Sequence, residues 1–388
     1  MQNFGLIFLL CLTMVSVSAK KIDNGMTGAS CGDQQVLFER SPLDMSDLRT
    51  IVPLGNFNPA GHSLPTKHFY MHLRREVEMD YSTDSALSPV YAPADMKIFK
   101  LNSSAMTSMN TIYSIFFSPC KEVTGYFLHV TQLGDTLLDA LETEQQCETH
   151  EPGTEFERQV CFADVDLEVE AGQLLGYAGG DDENNELDWG LFDTRIKQHK
   201  VGSKKRWANV DHSQDHRVTA CAIDYFPDES KTELESYLGY FETKRRVEPL
   251  CGNFQHDIRG TASGMWFSTK ASAGPYPETE HMTLADDILR PELALFSIGQ
   301  LDDELESGVY LFEPQSSGLI NRDFADVKKD GKAYCYETHP GSLGQYDDSI
   351  TKVFAIKLKS PKKLQFQALE QETCDDFELT RAAKILRR

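Results

Sequence analysis

Short hydrophobic runs alternate with polar and turn residues along most of the chain. Between residues 87 and 193 these runs are rich in β-branched and aromatic residues and are bounded by Gly, Pro and Asp, a pattern typical of antiparallel strands. Leu137, Leu138 and Leu141 recur at helical spacing and predict a surface helix over Leu133–Gln146. The expected strands are Val90–Lys100, Thr111–Ser118, Gly125–Val130, Val160–Val169 and Leu187–Phe192.

The second half of the chain shows the same pattern of short hydrophobic runs separated by polar and turn residues. A helix is predicted over Glu229–Tyr240. Strands are then predicted at Gly264–Ser268, Leu293–Ile298, Val309–Phe312, Ala333–Glu337 and Lys352–Leu358. We therefore expect a mainly β fold, between all-β and α+β, in which one antiparallel β domain is followed by a second β-rich domain.

The N-terminus reads as a cleaved secretory signal peptide, residues 1–19. An apolar run from Phe4 to Ser18 ends in small residues at Ala19 and is followed by Lys20 and Lys21. The apolar run is shorter than the roughly 20 residues that span a bilayer. No later segment is long and apolar enough to span one either, so we expect no membrane span. The alternative is a buried first element of the fold.

The roughly 370 residues that remain exceed what one core usually organises. The change in element pattern near residue 221 predicts two domains, 20–221 and 222–388. A secreted location outside the cell follows from the signal peptide.

The number of cysteines is consistent with an oxidising compartment. Cys11 leaves with the signal peptide, and an even set of eight remains, enough for four disulfides whose pairing is left open. Metal binding by these thiols is the weaker alternative, because no C-x-x-C pair occurs. The eight are Cys31, Cys120, Cys147, Cys161, Cys221, Cys251, Cys335 and Cys374.

The net charge limits the classes of binding partner that the chain is expected to have. Sixty acidic residues against 38 basic ones give a formal charge of −22, which argues against nucleic acid. The acid is dispersed, and its densest runs, 181–183 and 302–304, do not fit a calcium loop. Solubility explains such a charge, and the alternative is an acidic matrix protein that interacts with calcium or mineral. Asn102 begins an N-x-Ser glycosylation acceptor.

Five segments between residues 50 and 195 carry recognisable motifs in a fixed order. The fourth is the most specific, because it follows a Val-x-x-Gly-x-x-(Ile/Leu)-Gly turn pattern. The segments are His68–His72, Val90–Ile98, Gly125–Val130, Val169–Gly176 and Glu186–Asp193. In order and spacing they resemble the lysostaphin-type (LytM-like) zinc endopeptidases, whose β-sheet domain cuts peptidoglycan cross-bridges or related Gly-rich peptides.

The resemblance implies a metal site with altered ligands. The family holds zinc with His, Asp and a second His, and has a His-x-His motif on its last strand. The implied metal ligands here are His68, His72 in place of the Asp, and Asp188 in place of the second His. Glu186 replaces the first His of His-x-His, and His129 keeps the place of a proton-transfer residue; these two are the implied catalytic residues.

These substitutions leave three functions open. Such a ligand set suits zinc, manganese or iron, or belongs to a decayed site without metal. We expect a secreted protein that has lost the standard peptidase activity and binds an extracellular peptide or glycan. The alternatives are an active metal-dependent hydrolase of extracellular peptides and the acidic, calcium- or mineral-binding matrix protein. No motif of a serine nucleophile or of a phosphate-binding loop occurs.

Purely structural roles are alternative interpretations of the same residues. His68 and His72 could hydrogen-bond to backbone at a strand edge, and His129 could be a satisfied core histidine. Glu186 and Asp188 could extend a solvated acidic loop. Among the other histidines, His62 is a candidate cleft residue, whereas the pair His212 and His216 is interpreted as loop.

Overall fold

The computed structural model of the chain confirms a mainly β protein built from antiparallel sheets. It describes residues 28–59, 61–75, 83–106, 110–150, 157–181, 184–204, 206–208, 215–268, 280–301, 305–342, 345–346 and 352–388. The proposed signal peptide lies outside the described residues, and none of the described helices is long and apolar enough to cross a bilayer.

The first lobe, residues 28–263, is organised around one large sheet. Its path runs in the order β1-β2-β10-β6-β5-β4-β8-β7, with β11 on β10 and with β9 joining β3 to β6. The strands are β1 (Leu48–Val52), β2 (His68–Leu73), β3 (Ser88–Tyr91), β4 (Met96–Met106), β5 (Ile112–Cys120), β6 (Val123–Leu133), β7 (Gln146–His150), β8 (Arg158–Val169), β9 (Leu174–Ala178), β10 (Glu186–Asp193) and β11 (Thr219–Ala220).

The core of this lobe lies on one face of the central strands β2, β10 and β6. Phe69, Phe127 and Trp189 point into it from these three strands, with ring centroids 5.5 Å apart in the pairs Phe69–Trp189 and Phe127–Trp189. Helix α1 (Asp135–Glu144) adds Leu137 and Leu141 to the same core. Because side chains alternate along a strand, the intervening residues of β2 and β10 face the other way.

Two helices lie where the pattern predicts them, with shorter bounds. Helix α1 falls inside the expected range, but α2 (Asp228–Glu235) ends five residues before Tyr240. Gly239 and Tyr240 instead form β12, which pairs with β13 (Thr243–Lys244). Gly239 has a φ of 154° and lies against the Thr243 carbonyl, a conformation that does not continue a helix. The prediction of helix up to Tyr240 was therefore wrong.

The second sheet closes into an eight-strand barrel, since its two end strands β17 and β18 pair with each other. The order around the barrel is β17-β16-β15-β14-β22-β21-β20-β18, and the short β19 extends β18. The strands are β14 (Gly264–Ser268), β15 (His281–Asp286), β16 (Ala294–Ile298), β17 (Gly308–Phe312), β18 (Tyr334–Ser342), β19 (Gln345–Tyr346), β20 (Lys352–Ser360), β21 (Lys363–Leu369) and β22 (Lys384–Arg387).

Aromatic side chains fill the barrel. Phe296 has ring centroids within 5.1 Å of those of Phe324, Tyr336 and Phe354, and it is fully buried. A closed barrel of this size is just wide enough for side chains to fill its interior. The barrel interior is thus a hydrophobic core.

The outer face of the barrel packs against the first lobe. Leu295 and Leu311 from β16 and β17 form one buried cluster with Val52, Phe57 and Tyr70. This contact places the barrel over the face of β2 and β10 that does not belong to the first core. The Thr283 hydroxyl of β15 also donates a hydrogen bond of 2.8 Å to the Ser63 carbonyl, which attaches the loop before β2 to the barrel.

Eight cysteines form four disulfides, as their even number predicts. The pairs are Cys31–Cys120, Cys147–Cys161, Cys221–Cys251 and Cys335–Cys374. Four disulfides are compatible with a secreted protein. The first core contains side chains on both sides of the expected boundary at residue 221, for example Ala222 and Leu238.

Candidate metal centre

Two neighbouring strands bring histidine and carboxylate side chains onto one face of the first sheet. In the antiparallel register of β10 and β2, Glu186 lies opposite His72, Asp188 opposite Tyr70 and Gly190 opposite His68. Directly opposed residues point to the same face. The two-residue period therefore gathers His68, His72, Glu186 and Asp188 on the side that faces the barrel.

His129 reaches the same face through an irregularity in β6. Phe127 and Val130 both belong to the first core, so the two residues between them cannot alternate regularly. The register of β5 and β6 shifts here, and His129 has a φ of 62°, a left-handed conformation that is uncommon for a residue other than Gly. This bulge turns the His129 ring to the face that carries Asp188, as β-bulges do near active sites.

Asp188 is the central residue of the cluster. Its Oδ2 lies 3.3 Å from His68 Nε2 and 3.5 Å from His129 Nε2. The Asp188 side chain is 3 % exposed, whereas that of His129 is 33 % exposed. The outer carboxylate of Glu186 lies 3.2 Å from His72 Nδ1. The cluster thus runs from a buried end at His68 to a more open end at His72 and His129.

Burial controls the protonation of Asp188. It raises the pKa of this carboxyl from 3.8 to about 7, and the charge of Glu186 adds to the rise while His129 opposes it. For His129, burial favours the neutral form, but Asp188, Glu186 and a hydrogen bond with Asn184 outweigh it and raise the pKa above 6.5. A carboxyl whose pKa is raised to about 7 therefore lies beside an imidazole whose pKa is raised above its ordinary value.

The two histidines of β2 are held neutral. Burial, followed by the charges of His62 and Lys67, lowers the pKa of His68 well below 6.5. Burial also lowers the pKa of His72, although Glu186 opposes the shift. The Nδ1 atom of His68 lies 2.8 Å from the Tyr126 hydroxyl. A neutral imidazole has a lone pair available for a metal ion or a proton.

One buried oxygen of the cluster is unsatisfied. Among the residues that the structure describes, Asp188 Oδ1 has no hydrogen-bond partner, whereas His68 Nε2 has its contact of 3.3 Å with Asp188 Oδ2. Leaving such a buried atom unpaired costs roughly 1–3 kcal/mol. The cost points to a bound group at this position.

The donor set fits a divalent metal ion. One ligand atom each from His129, Glu186 and Asp188 lies within 4.8 Å of the other two, and imidazole and carboxylate are ligands that zinc and manganese accept. The other such trio among the described residues is Cys31, Cys120 and Glu122, in which a disulfide occupies both sulfurs. The first trio is therefore the candidate metal centre.

This trio differs from the ligand set that the resemblance implies. Asp188 is common to both, but His68 and His72 lie four residues apart on one strand, a separation of about 13 Å along the chain. Each histidine instead contacts a different carboxylate of β10. The ligand set His68, His72 and Asp188 stays a prediction, as do the catalytic roles of His129 and Glu186, and the geometry adds these two residues as candidate ligands.

A cleft of about 330 Å³ opens beside the cluster, between the first lobe and the barrel. Its walls are aromatic and amide side chains together with barrel backbone: Asn56, Phe57, Asn58, Pro59, Tyr70, His72, Glu186, Tyr240, Gly308, Val309 and Gly341. Ligand sites commonly lie at such boundaries between domains. Glu186 belongs to both the cleft and the candidate metal centre, so a ligand in the cleft would lie next to a bound metal.

The other predicted residues fall in different places. The ring of His62 lies edge-on to that of His68 at 5.5 Å, so His62 borders the cluster. His216 is buried against Phe192 and Trp207 and belongs to packing rather than to a loop surface. His212 lies outside the described residues. Asn102 is half-buried within β4, and its glycosylation stays a prediction.

Four further residues support the site but were not predicted from sequence. Tyr126 contacts His68, Asn184 contacts His129, and the Tyr240 ring lies edge-on to His72 at 5.8 Å. Gly190 leaves room for Tyr126, because a Cβ there would lie 2.3 Å from the tyrosine ring. The sequence indicates that Gly190 lies opposite Tyr126 only once the register of β10 and β6 is known.

No protein-family model matches the chain, and no curated protein matches it significantly.

The contact between Tyr126 and His68 depends on the absence of a side chain at Gly190. We predict that Gly190→Ala displaces the Tyr126 ring and lowers the free energy of unfolding by about 1–3 kcal/mol, the usual cost of overpacking. The measurement is urea unfolding. Gly61→Ala is the control, since the nearest atom to a Cβ there is 3.8 Å away. Equal stability of the two variants would contradict this packing.

The raised pKa of Asp188 predicts a pH-dependent stability in the metal-free protein. The carboxyl titrates at about 7 when folded and near 3.8 when unfolded, so its contribution to stability is full below pH 3.8 and is lost as the pH rises to about 7. In the Asp188→Asn variant the amide side chain is neutral at every pH in this interval. The free energy of unfolding of this variant minus that of the wild type should therefore rise across this interval and then level off.

Urea unfolding at a series of pH values, with chelator present, measures this difference. A difference that is constant or falls as the pH increases would show that Asp188 is not held in its neutral form by burial.

Proposed function

We propose that the chain is a secreted protein that binds a divalent metal ion through His129, Glu186 and Asp188 and holds an extracellular peptide or glycan in the adjoining cleft. The observation that carries the proposal is the buried Asp188 carboxylate, which has an unpaired oxygen and two other donors close by. Zinc is the first candidate ion and manganese the second, because the trio mixes one imidazole with two carboxylates.

We further propose that the first lobe is a divergent relative of the lysostaphin-type endopeptidases. The motifs on β2, β6 and β10 support this relationship, since three strands that neighbour one another in the sheet carry them. The altered residues Glu186 and Asp188 lie on β10, where the family has its two histidines. The relationship is thus proposed from strand order and motif position together.

Loss of the standard peptidase activity follows from the charge of the ligand set. A divalent metal in such a site supplies Lewis acidity, which polarises a substrate carbonyl. Two carboxylates and a neutral imidazole cancel the charge of the ion, whereas two imidazoles and one carboxylate leave one positive charge. The metal-binding residues present here therefore favour binding of a peptide or glycan over its hydrolysis.

One observation favours a hydrolase as the second candidate. The neutral His68 lies beside Asp188 and the Tyr126 hydroxyl lies beside His68, so groups that can move a proton adjoin the proposed metal site. Cleavage of glycine-rich peptides by the metal-loaded protein would favour this candidate. Intact peptides after long incubation, with metal bound, would favour the binding protein.

Metal content tests the proposal. After chelation and reconstitution, we predict about one zinc or manganese ion per chain, since all three donors come from one polypeptide. The His129→Ala and Asp188→Asn variants should lose it, and the exposed His150→Ala variant should keep it. Circular dichroism checks that each variant is folded.

The variant His72→Ala separates the two ligand sets. Retained metal in this variant supports His129, Glu186 and Asp188 as ligands, whereas loss supports the set that the family resemblance implies. Wild-type protein without metal above background would contradict the proposal in either form.

A further inference from the structure

A second pocket, which shares no lining residue with the metal trio, is bordered by two stretches that are rich in Lys and Arg and contain no acidic residue. Residues 194–210 contain six Lys or Arg, and residues 352–369 contain five Lys, while neither stretch contains Asp or Glu. Both stretches therefore carry a positive charge in a chain that has 60 acidic and 38 basic residues. The fold brings them to one place.

This basic pocket has a volume of about 730 Å³. It lies between the loop after β10, the segment before β14 and the turn between β20 and β21. Its lining residues are Gln198, His199, Lys200, Val201, Gly202, Lys204, Asp257, Arg259, Gly260, Pro361, Lys362 and Arg388. Asp257 is the single acidic side chain among them.

The floor of the basic pocket is a buried ion pair. Arg388 Nε lies 3.2 Å from Asp257 Oδ1, and their side chains are 3 % and 5 % exposed. The Arg388 guanidinium also lies 3.9 Å from the centroid of the Trp266 ring. Because these two charges neutralise each other, Asp257 does not cancel the positive charge of the rim.

Four cations line the rim: Lys200, Lys204, Arg259 and Lys362. All four are exposed, and among the described residues none of their side chains takes part in an ion pair or hydrogen bond. Like charges gathered without counter-charges repel one another unless an anion neutralises them. The rim is therefore arranged for an anionic ligand.

We infer that the basic pocket binds a sulfated glycan. Four cations around an open cavity of this size suit a chain of several anionic groups better than one isolated anion. Clusters of Lys and Arg bind heparin-type glycans and nucleic acids, and the disulfides favour the extracellular compartment, where sulfated glycans occur. The net charge of −22 repels any polyanion, but salt screens charges beyond about 8 Å at physiological ionic strength, so the local rim decides binding.

Direct binding measurements with fluorescent heparin oligosaccharide at physiological salt test this inference. The variant Lys200→Gln/Lys204→Gln/Lys362→Gln should bind about tenfold or more weakly, because each lost contact also removes a counterion-release contribution. The matched control removes three exposed cations outside the pocket, Lys121→Gln/Lys244→Gln/Arg246→Gln, and should keep wild-type affinity.

Four outcomes would overturn the inference. They are no binding by the wild type, equal weakening in both triple variants, equal affinity for desulfated oligosaccharide, and tighter binding of a DNA strand of the same charge. Chelator is present throughout, so the result is independent of the candidate metal centre.

Discussion

The burial of the Asp188 carboxylate between two histidines is the constraint on which the site depends. A carboxylate with 3 % of its side chain exposed is costly unless it is protonated, paired or bound to a metal. His68 and His129 lie next to it but leave one oxygen unsatisfied. The arrangement is therefore complete only when a proton or a cation is added.

The barrel adds to this constraint from outside. Without it, the face of β2 that carries Tyr70 and the histidines would be more open to water. Packing of Leu295 and Leu311 against Tyr70 covers that face and leaves the cleft as an entrance. The second lobe thus acts on the chemistry of the first through desolvation, although its own interior is filled with aromatic side chains.

Local patterns in the sequence predicted the fold class and part of the site. Alternation on β10 placed Glu186 and Asp188 on one face, and an even number of cysteines predicted four disulfides. The pattern missed β7, whose residues are all exposed, because an exposed strand has no apolar alternation. It also missed β21, although Leu364 and Phe366 alternate with polar residues there.

Other features depend on contacts that no local pattern contains. The turn of His129 toward Asp188 requires a bulge with positive φ at a residue that is not Gly, and such a bulge has no signature in the sequence. The partnership of Tyr126 with His68 requires Gly190 on the strand between them. The meeting of the two basic stretches depends on the tertiary fold, in which the turn at Lys362 and the loop at Lys200 line one pocket.

The most direct test of the metal centre is an anomalous-diffraction map of crystals grown with zinc, recorded on both sides of the zinc absorption edge. We predict one strong peak bonded to His129 Nε2 and to the carboxylates of Glu186 and Asp188, at about 2.0–2.2 Å from each ligand atom. A map without a peak at Asp188, or with zinc only on exposed acidic loops, would contradict it.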